Sequence, residues 1–274
     1  MRLTEALHQL NDKPLLMGIL NVTPDSFSDG GHFIHKETIL RQLDKMNQSG
    51  VNIVDIGGES TRPGADPVPL AVELERVLPV VEWVKTHTDA YISVDTYKTE
   101  VMAEAIQLGV DMINDVNALQ APGAVELLAK HSIAVCLMHK QGQPKDMQQA
   151  PNYSGSVIDD VKNFLLQKAE YCIDKGVLAE NIMIDPGFGF GKRLAHNIEL
   201  FEGLEDLAAL PYPLLVGVSR KSMIGDILGG VAVEERMIGS VAAAILATLK
   251  GAKILRVHDV KETSEALKVV LSLI

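Results

Sequence analysis

The chain has 274 residues, 47% hydrophobic and 22% charged, which is enough apolar chain for one large core. Aromatics make up only 4%, so that core must be mainly aliphatic, and a formal charge of -11 excludes a basic nucleic-acid footprint. An anionic ligand must therefore be met by local cations acting against the bulk field.

The N-terminal "MRLTEALHQLNDKP" is polar and lacks the apolar stretch of a secretory signal. Short runs rich in Val, Ile, Leu and Met then recur at 14–22, 51–57, 90–95, 110–115, 133–139, 181–186, 213–219 and 252–258. They lack clean polar alternation, as expected for parallel strands covered on both faces. Helical segments separate them. "HKETILRQLDKMNQSG" ends on Gly50, a good C-terminal cap. "PLAVELERVLPVVEWVKTH" contains Pro79, which predicts a kink or two shorter helices. "TEVMAEAIQLG", "PGAVELLAKH", "SGSVIDDVKNFLLQKAEYCIDKG", "HNIELFEGLEDLAAL", "VEERMIGSVAAAILATLKG" and "VKETSEALKVVLSLI" complete the set.

Eight strands alternating with about eight helices is the count for an α/β fold of the (β/α)8 TIM-barrel type. A doubly wound open sheet would show a glycine-rich fingerprint after its first strand, and Asn21-Val22-Thr23-Pro24 is not one. No linker or composition break interrupts the chain, which predicts one domain over 1–274. No apolar run is long enough to span a membrane. Cys136 and Cys172 form no CxxC pair and read as buried thiols in a reducing cytosol, which points to a cytoplasmic protein.

In a barrel, polar residues at the C-terminal strand ends share one pocket. Here these are Asn21, Asp55, Asp95, Asn114 with Asp115, His139, Asp185, Ser219 with Lys221, and Arg256 with His258. Each has a plainer alternative. Asp95 could cap the next helix, Asn114 and Asp115 could form a turn, and His139 could be a core histidine. Together, on one rim, they suit a pocket for a polar heterocycle. The loops add to this. "GGESTRPGADPVP" presents Thr61 and Arg62 after strand 2. "DPGFGFGK" lets backbone pass close to a ligand, with Phe188 and Phe190 as stacking or lid surfaces. "VSRKSMIG" brings Lys221 and Ser222 to a helix start, where an anion or polar oxygen could bind, while Arg220 reads as solvated surface.

"MGILNVTPDSFSDGG", "DIGGESTRPGA", "SVDTYK", "INDVNAL", "DPGFGFGK", "VGVSRKSMIG" and "RVHDV" together resemble the bacterial dihydropteroate synthases over residues 15 to 260. That resemblance implies condensation of 6-hydroxymethyl-7,8-dihydropterin pyrophosphate with p-aminobenzoate, releasing pyrophosphate through a pterin-methyl cation, in a sulfonamide target. It implies a pterin slot of Asp95, Asn114, Asp185 and Lys221, and a pyrophosphate site of Asn21, Thr61, Arg62, Arg256 and His258. Mg2+ would sit at Asn21, and p-aminobenzoate near Phe27, Arg62, Pro63, Phe190, Lys221 and Ser222. Catalytic roles fall to Asp95, Lys221 and Arg256, and the partner is a second copy in a homodimer. A corrinoid-linked pterin methyltransferase would share barrel and pterin slot, but has no need of the "TRPG" and "SRKS" loops. Two departures from the family pattern, Lys140 in "MHKQG" and Lys192-Arg193 in place of "KT", fall in loops outside the expected site.

Overall fold

The computed structural model describes residues 2–9, 13–22, 32–61, 64–142, 147, 151–153 and 155–274. Phe27, Arg62 and Pro63 lie outside the described residues, and so does most of the polar loop after the first strand.

All eight expected strands form: β1 Leu15–Asn21, β2 Ile53–Gly57, β3 Tyr91–Asp95, β4 Met112–Asp115, β5 Ala134–Met138, β6 Ile182–Asp185, β7 Leu215–Val216 and β8 Ile254–Val257. They are parallel in the order β6-β5-β4-β3-β2-β1-β8-β7. The remaining seam closes through a parallel bridge between Ile184 and Leu214, with Ile184 N donating to Pro213 O at 3.0 Å. The sheet is a (β/α)8 barrel.

The helices are α1 Leu3–His8, α2 His32–Gln48, α3 Leu70–His87, α4 Thr99–Gln107, α5 Ala124–Leu128, α6 Val157–Asp174, α7 Leu194–Glu202, α8 Leu204–Ala208, α9 Ser222–Ile227, α10 Met237–Leu249 and α11 Val260–Leu271. Pro79 does not divide α3, so the two shorter helices that its signal allows do not form. Val77, Val80, Val81 and Val84 stay buried on both sides of it, and that packing holds one helix across the missing hydrogen bond. The segment expected as one helix after β6 instead breaks at Gly203 into α7 and α8. Among the described residues, no helix is long and apolar enough to cross a membrane.

Alternation along each strand separates two cores. Leu16, Leu20, Val54, Ile56, Val94, Ile113, Val135, Leu137, Ile182 and Ile184 face the helices. Leu15, Met17, Ile53, Met112, Ala134, Cys136, Met183, Leu215 and Ile254 fill the barrel. The helix α1, absent from the sequence reading, contributes Leu3 and Leu7 to this inner cluster and so plugs the barrel at its N-terminal end. Among the residues two positions beyond the inner apolar layer are Asp55, Asn114, Asp185 and Arg256. The period of two therefore places polar side chains at the opposite mouth from the plug.

Candidate active site

Arg256 is the centre of the mouth. Its Nε donates to Asp55 Oδ2 at 2.6 Å and its Nη2 to Asp95 Oδ2 at 2.7 Å. Asp55 is fully buried and also accepts from Ser93 Oγ at 2.6 Å and Asn114 Nδ2 at 3.2 Å. Burial opposes the Arg256 charge, but Asp55 and Asp95 outweigh it and hold the guanidinium ionised. Burial pushes the Asp95 carboxyl up to about 7, with Arg256 pulling the other way and Asp55 adding to the rise. Asp55 is one of the polar strand ends, and the family resemblance implies no ligand role for it. The structure makes it the support that fixes both Arg256 and Asn114.

A second group faces this one from β6 and the loop after β7. Asp185 Oδ1 accepts from Gly187 N at 2.7 Å, and burial raises its carboxyl while Lys221 opposes the rise. Lys221 donates from Nζ to Phe188 O at 2.5 Å, and the same ammonium lies 4.8 Å from the centre of the Phe190 ring. Burial lowers Lys221 to about 8, with Asp185 opposing. Gly187 has φ +67, and a Cβ there would lie 1.9 Å from the His139 carbonyl oxygen. Only glycine brings this loop so close to the end of β5. Phe188 is not a stacking surface: its ring is fully buried, 5.8 Å from Phe201, and only its carbonyl meets the site.

The remaining expected residues are placed as follows. Asn21 ends β1 opposite Gly57, where a Cβ would lie 3.6 Å from Asn21 Oδ1 and 3.8 Å from Asp95 Cβ. Gly57 thus leaves open the space between those two side chains. Thr61 is half-exposed on the loop after β2. The base of that loop is anchored: Arg76 donates to Gly58 O at 2.9 Å, Tyr97 Oη to Glu59 at 2.7 Å, and Lys98 bridges the Glu59 and Glu73 carboxylates. Ser222 is exposed at the first residue of α9. His258 Nδ1 lies 3.0 Å from Ser219 Oγ, which also accepts from His258 N.

Two strand-end residues have structural roles instead. Asp115 accepts from Asn117 N at 2.7 Å and Leu119 N at 2.8 Å, holding a turn in which Ala118 and Leu119 take positive φ. His139 is buried, edge-on to Phe164 with ring centres 5.0 Å apart, behind the loop that carries Gly187. Arg220 is not solvated surface. It grips Asp259 with Nε at 3.0 Å and Nη2 at 2.5 Å, and its backbone, at φ +58, is held by Ser240 Oγ and Arg236. A fixed left-handed Arg220 sets the position of Lys221 beside it.

The arrangement can accept hydrogen bonds from a planar polar ring at Asp95 and Asp185, and offers cations at Arg256 and Lys221 for a charged partner. Residues 17–258 match the pterin binding enzyme family. The chain is 52% identical to the dihydropteroate synthase of Haemophilus influenzae, covering 93% of this chain and 92% of that protein. It superposes with a TM-score of 0.90 on the Yersinia pestis dihydropteroate synthase in complex with a sulfonamide drug, at 49% identity and 96% coverage of each chain. The Xanthomonas albilineans dihydropteroate synthase with 4-aminobenzoic acid also gives 0.90, at 45% identity, covering 96% of this chain and 93% of that one.

Proposed function

The chain belongs to the pterin-binding enzyme family and, within it, to the dihydropteroate synthases, and from that membership we propose how its rim residues divide the work. The reaction is a transfer: the pterin methylene carbon leaves pyrophosphate and joins the amine of p-aminobenzoate. Asp95, Asn114 and Asp185 hold the pterin by its amino and ring N–H edges. Lys221 lies between pterin and p-aminobenzoate, with Phe190, Phe27, Pro63 and Ser222 around the aminobenzoate ring and carboxylate. Arg256, His258, Asn21, Thr61 and Arg62 meet the pyrophosphate.

The observation that carries this reading is the Asp55–Arg256–Asp95 bridge. In this reading its one cation stands between the carboxylate that faces the pterin and the leaving group, and the bridge supports that reading by joining the two. Bond breaking ahead of bond making spreads positive charge over the pterin ring. Asp95 stabilises that charge and Arg256 the charge on the departing oxygens, both already oriented before substrate arrives. The arylamine attacks through its lone pair and needs no dedicated base. Mg2+ would be held by Asn21 together with pyrophosphate oxygens and water, since this cation takes few protein oxygens and completes its shell from substrate. When bound it neutralises charge on the leaving group.

We read residues 1–274 as one catalytic unit. A homodimer through α10 and α11 is supported by their shared apolar groove, lined by Met237, Ile238, Val241, Ala242, Ile245 and Leu246. The test mixes protein, pterin pyrophosphate, Mg2+ and p-aminobenzoate and measures dihydropteroate and pyrophosphate in equal amounts. Folded protein that forms neither sinks the reading. Sulfonamides should compete with p-aminobenzoate and not with the pterin.

A further inference from the structure

Lys192 is buried, only 2% exposed, although it sits in a loop. Its ammonium has three neighbours: His139 Nδ1 at 2.9 Å, Gly187 O at 2.9 Å and Phe190 O at 3.2 Å. Among the described residues, no carboxylate lies within ion-pair distance of it. A buried cation held only by neutral partners is costly, and burial lowers it to about 7, with Asp185 opposing and Lys221 adding to the fall. The His139 ring, which burial and Lys192 hold near 3, is neutral and can accept at Nδ1.

The three bonds converge on one structure. Gly187, Gly189 and Gly191 all have positive φ, so the loop turns tightly and aims carbonyls inward. Lys192 ties the carbonyls of Gly187 and Phe190 from behind. On the front of the same loop, Lys221 ties the carbonyl of Phe188 and lies over the Phe190 ring. The loop is thus stretched between two lysines, one inside the protein and one at the mouth.

We infer that Lys192 is a positioning residue: acting through the 187–190 backbone, it sets where the Phe190 ring and the Phe188 carbonyl hold Lys221 for the aminobenzoate. The inference rests on the assignment of Phe190 and Lys221 to that substrate. Asp95 and Asn114 are held from β2 and β8, not from this loop, and Asp185 meets it only through Gly187 N, so the pterin side depends on Lys192 less than the aminobenzoate side does.

Lys192→Met keeps an unbranched side chain, one atom shorter, and removes its donors. Steady-state kinetics should show KM for p-aminobenzoate raised at least tenfold, with KM for pterin pyrophosphate changed less than threefold. In a Phe190→Leu background the same substitution should add less than threefold, because its route is already cut. Equal KM values in mutant and wild type, or equal changes in both KM values, overturn the inference. If Lys192→Met does not fold, His139→Gln removes one of the three partners and should shift KM for p-aminobenzoate alone, by about threefold; no shift overturns the inference. Hydrogen exchange of ligand-free protein separates this from the assignment of the reaction. Amides 187–191 should exchange at least tenfold faster in Lys192→Met even if the wild type shows no turnover, and unchanged exchange there refutes the role of Lys192.

Discussion

Single residues at this mouth are tuned by what surrounds them. In the proposed division of roles Asp95 must be ionised to stabilise a pterin cation, and burial raises it to about 7. In the same proposal Lys221 must be protonated to meet a carboxylate, and burial lowers it to about 8. The pH profile of kcat/KM should therefore be a narrow bell, falling as Asp95 gains a proton below about 7 and as Lys221 loses one above about 8. Asp95→Asn should abolish the acid limb and Lys221→Arg should move the alkaline limb upward, both read from initial rates. Gly187→Ala meets both positive φ and a backbone oxygen 1.9 Å from the new Cβ. The cost should be about 3 kcal/mol, or a fall of roughly 5 °C in Tm by calorimetry, with activity lost alongside. Asp95, Asn114, Asp185 and Arg256 were legible in the sequence because an acidic, amide or basic side chain after a Val/Ile run has few places to go in a barrel. Lys192 was not. A lysine beside arginine in a glycine-rich loop reads as solvated, and its burial is decided by His139, which is 53 positions away.

At the scale of elements, the eight strands were legible because both of their faces are covered. The helix α1 was not, since its signal is only Leu3, Ala6 and Leu7 in six residues, too short to stand without the barrel beneath it. Its burial is nonetheless nearly complete, with Leu3 at 2% and Leu7 at 7% exposure. Leu3→Ala should cost about 2–4 kcal/mol, seen in chemical denaturation, while kcat/KM holds within twofold, because the plug lies at the end of the barrel away from the catalytic mouth. A matching loss of activity in the folded fraction would mean that the inner core transmits strain to the rim. Pro79 gives the reverse lesson: a strong local breaker is overruled when valines on both sides of it are buried against the sheet.

For the whole molecule, α10 and α11 carry several of the most exposed apolar side chains. Ile238 is 78% exposed on α10, with Leu246 and Leu249 on the same helix and Val269 on α11 also exposed. Apolar surface of this kind supports the proposed dimer interface. Ile238→Asp should shift the protein from dimer to monomer in sedimentation velocity while the circular dichroism spectrum stays unchanged. A dimer that persists would move the interface elsewhere. The small-residue stretch in "GSVAAAILATLKGA" suits burial on the barrel or on a second copy, and the structure turns one side of it to the barrel and leaves the other exposed. Ala244 and Ala247 pack inward, whereas Leu246 and Leu249 face out.

The bridge from Arg256 to Asp55 joins residues 201 positions apart, the second strand to the last. A growing chain therefore makes its crowded acids long before the cation that neutralises them. Until β8 emerges during synthesis, the half-built mouth holds Asp55 and Asp95 with no guanidinium between them, in a chain that is already acidic overall. A truncated product or a stalled intermediate would then be electrostatically incomplete as well as one strand short, open at its seam and unable to hold a pyrophosphate. Closure of the barrel and neutralisation of the mouth are therefore one event, because both wait for β8.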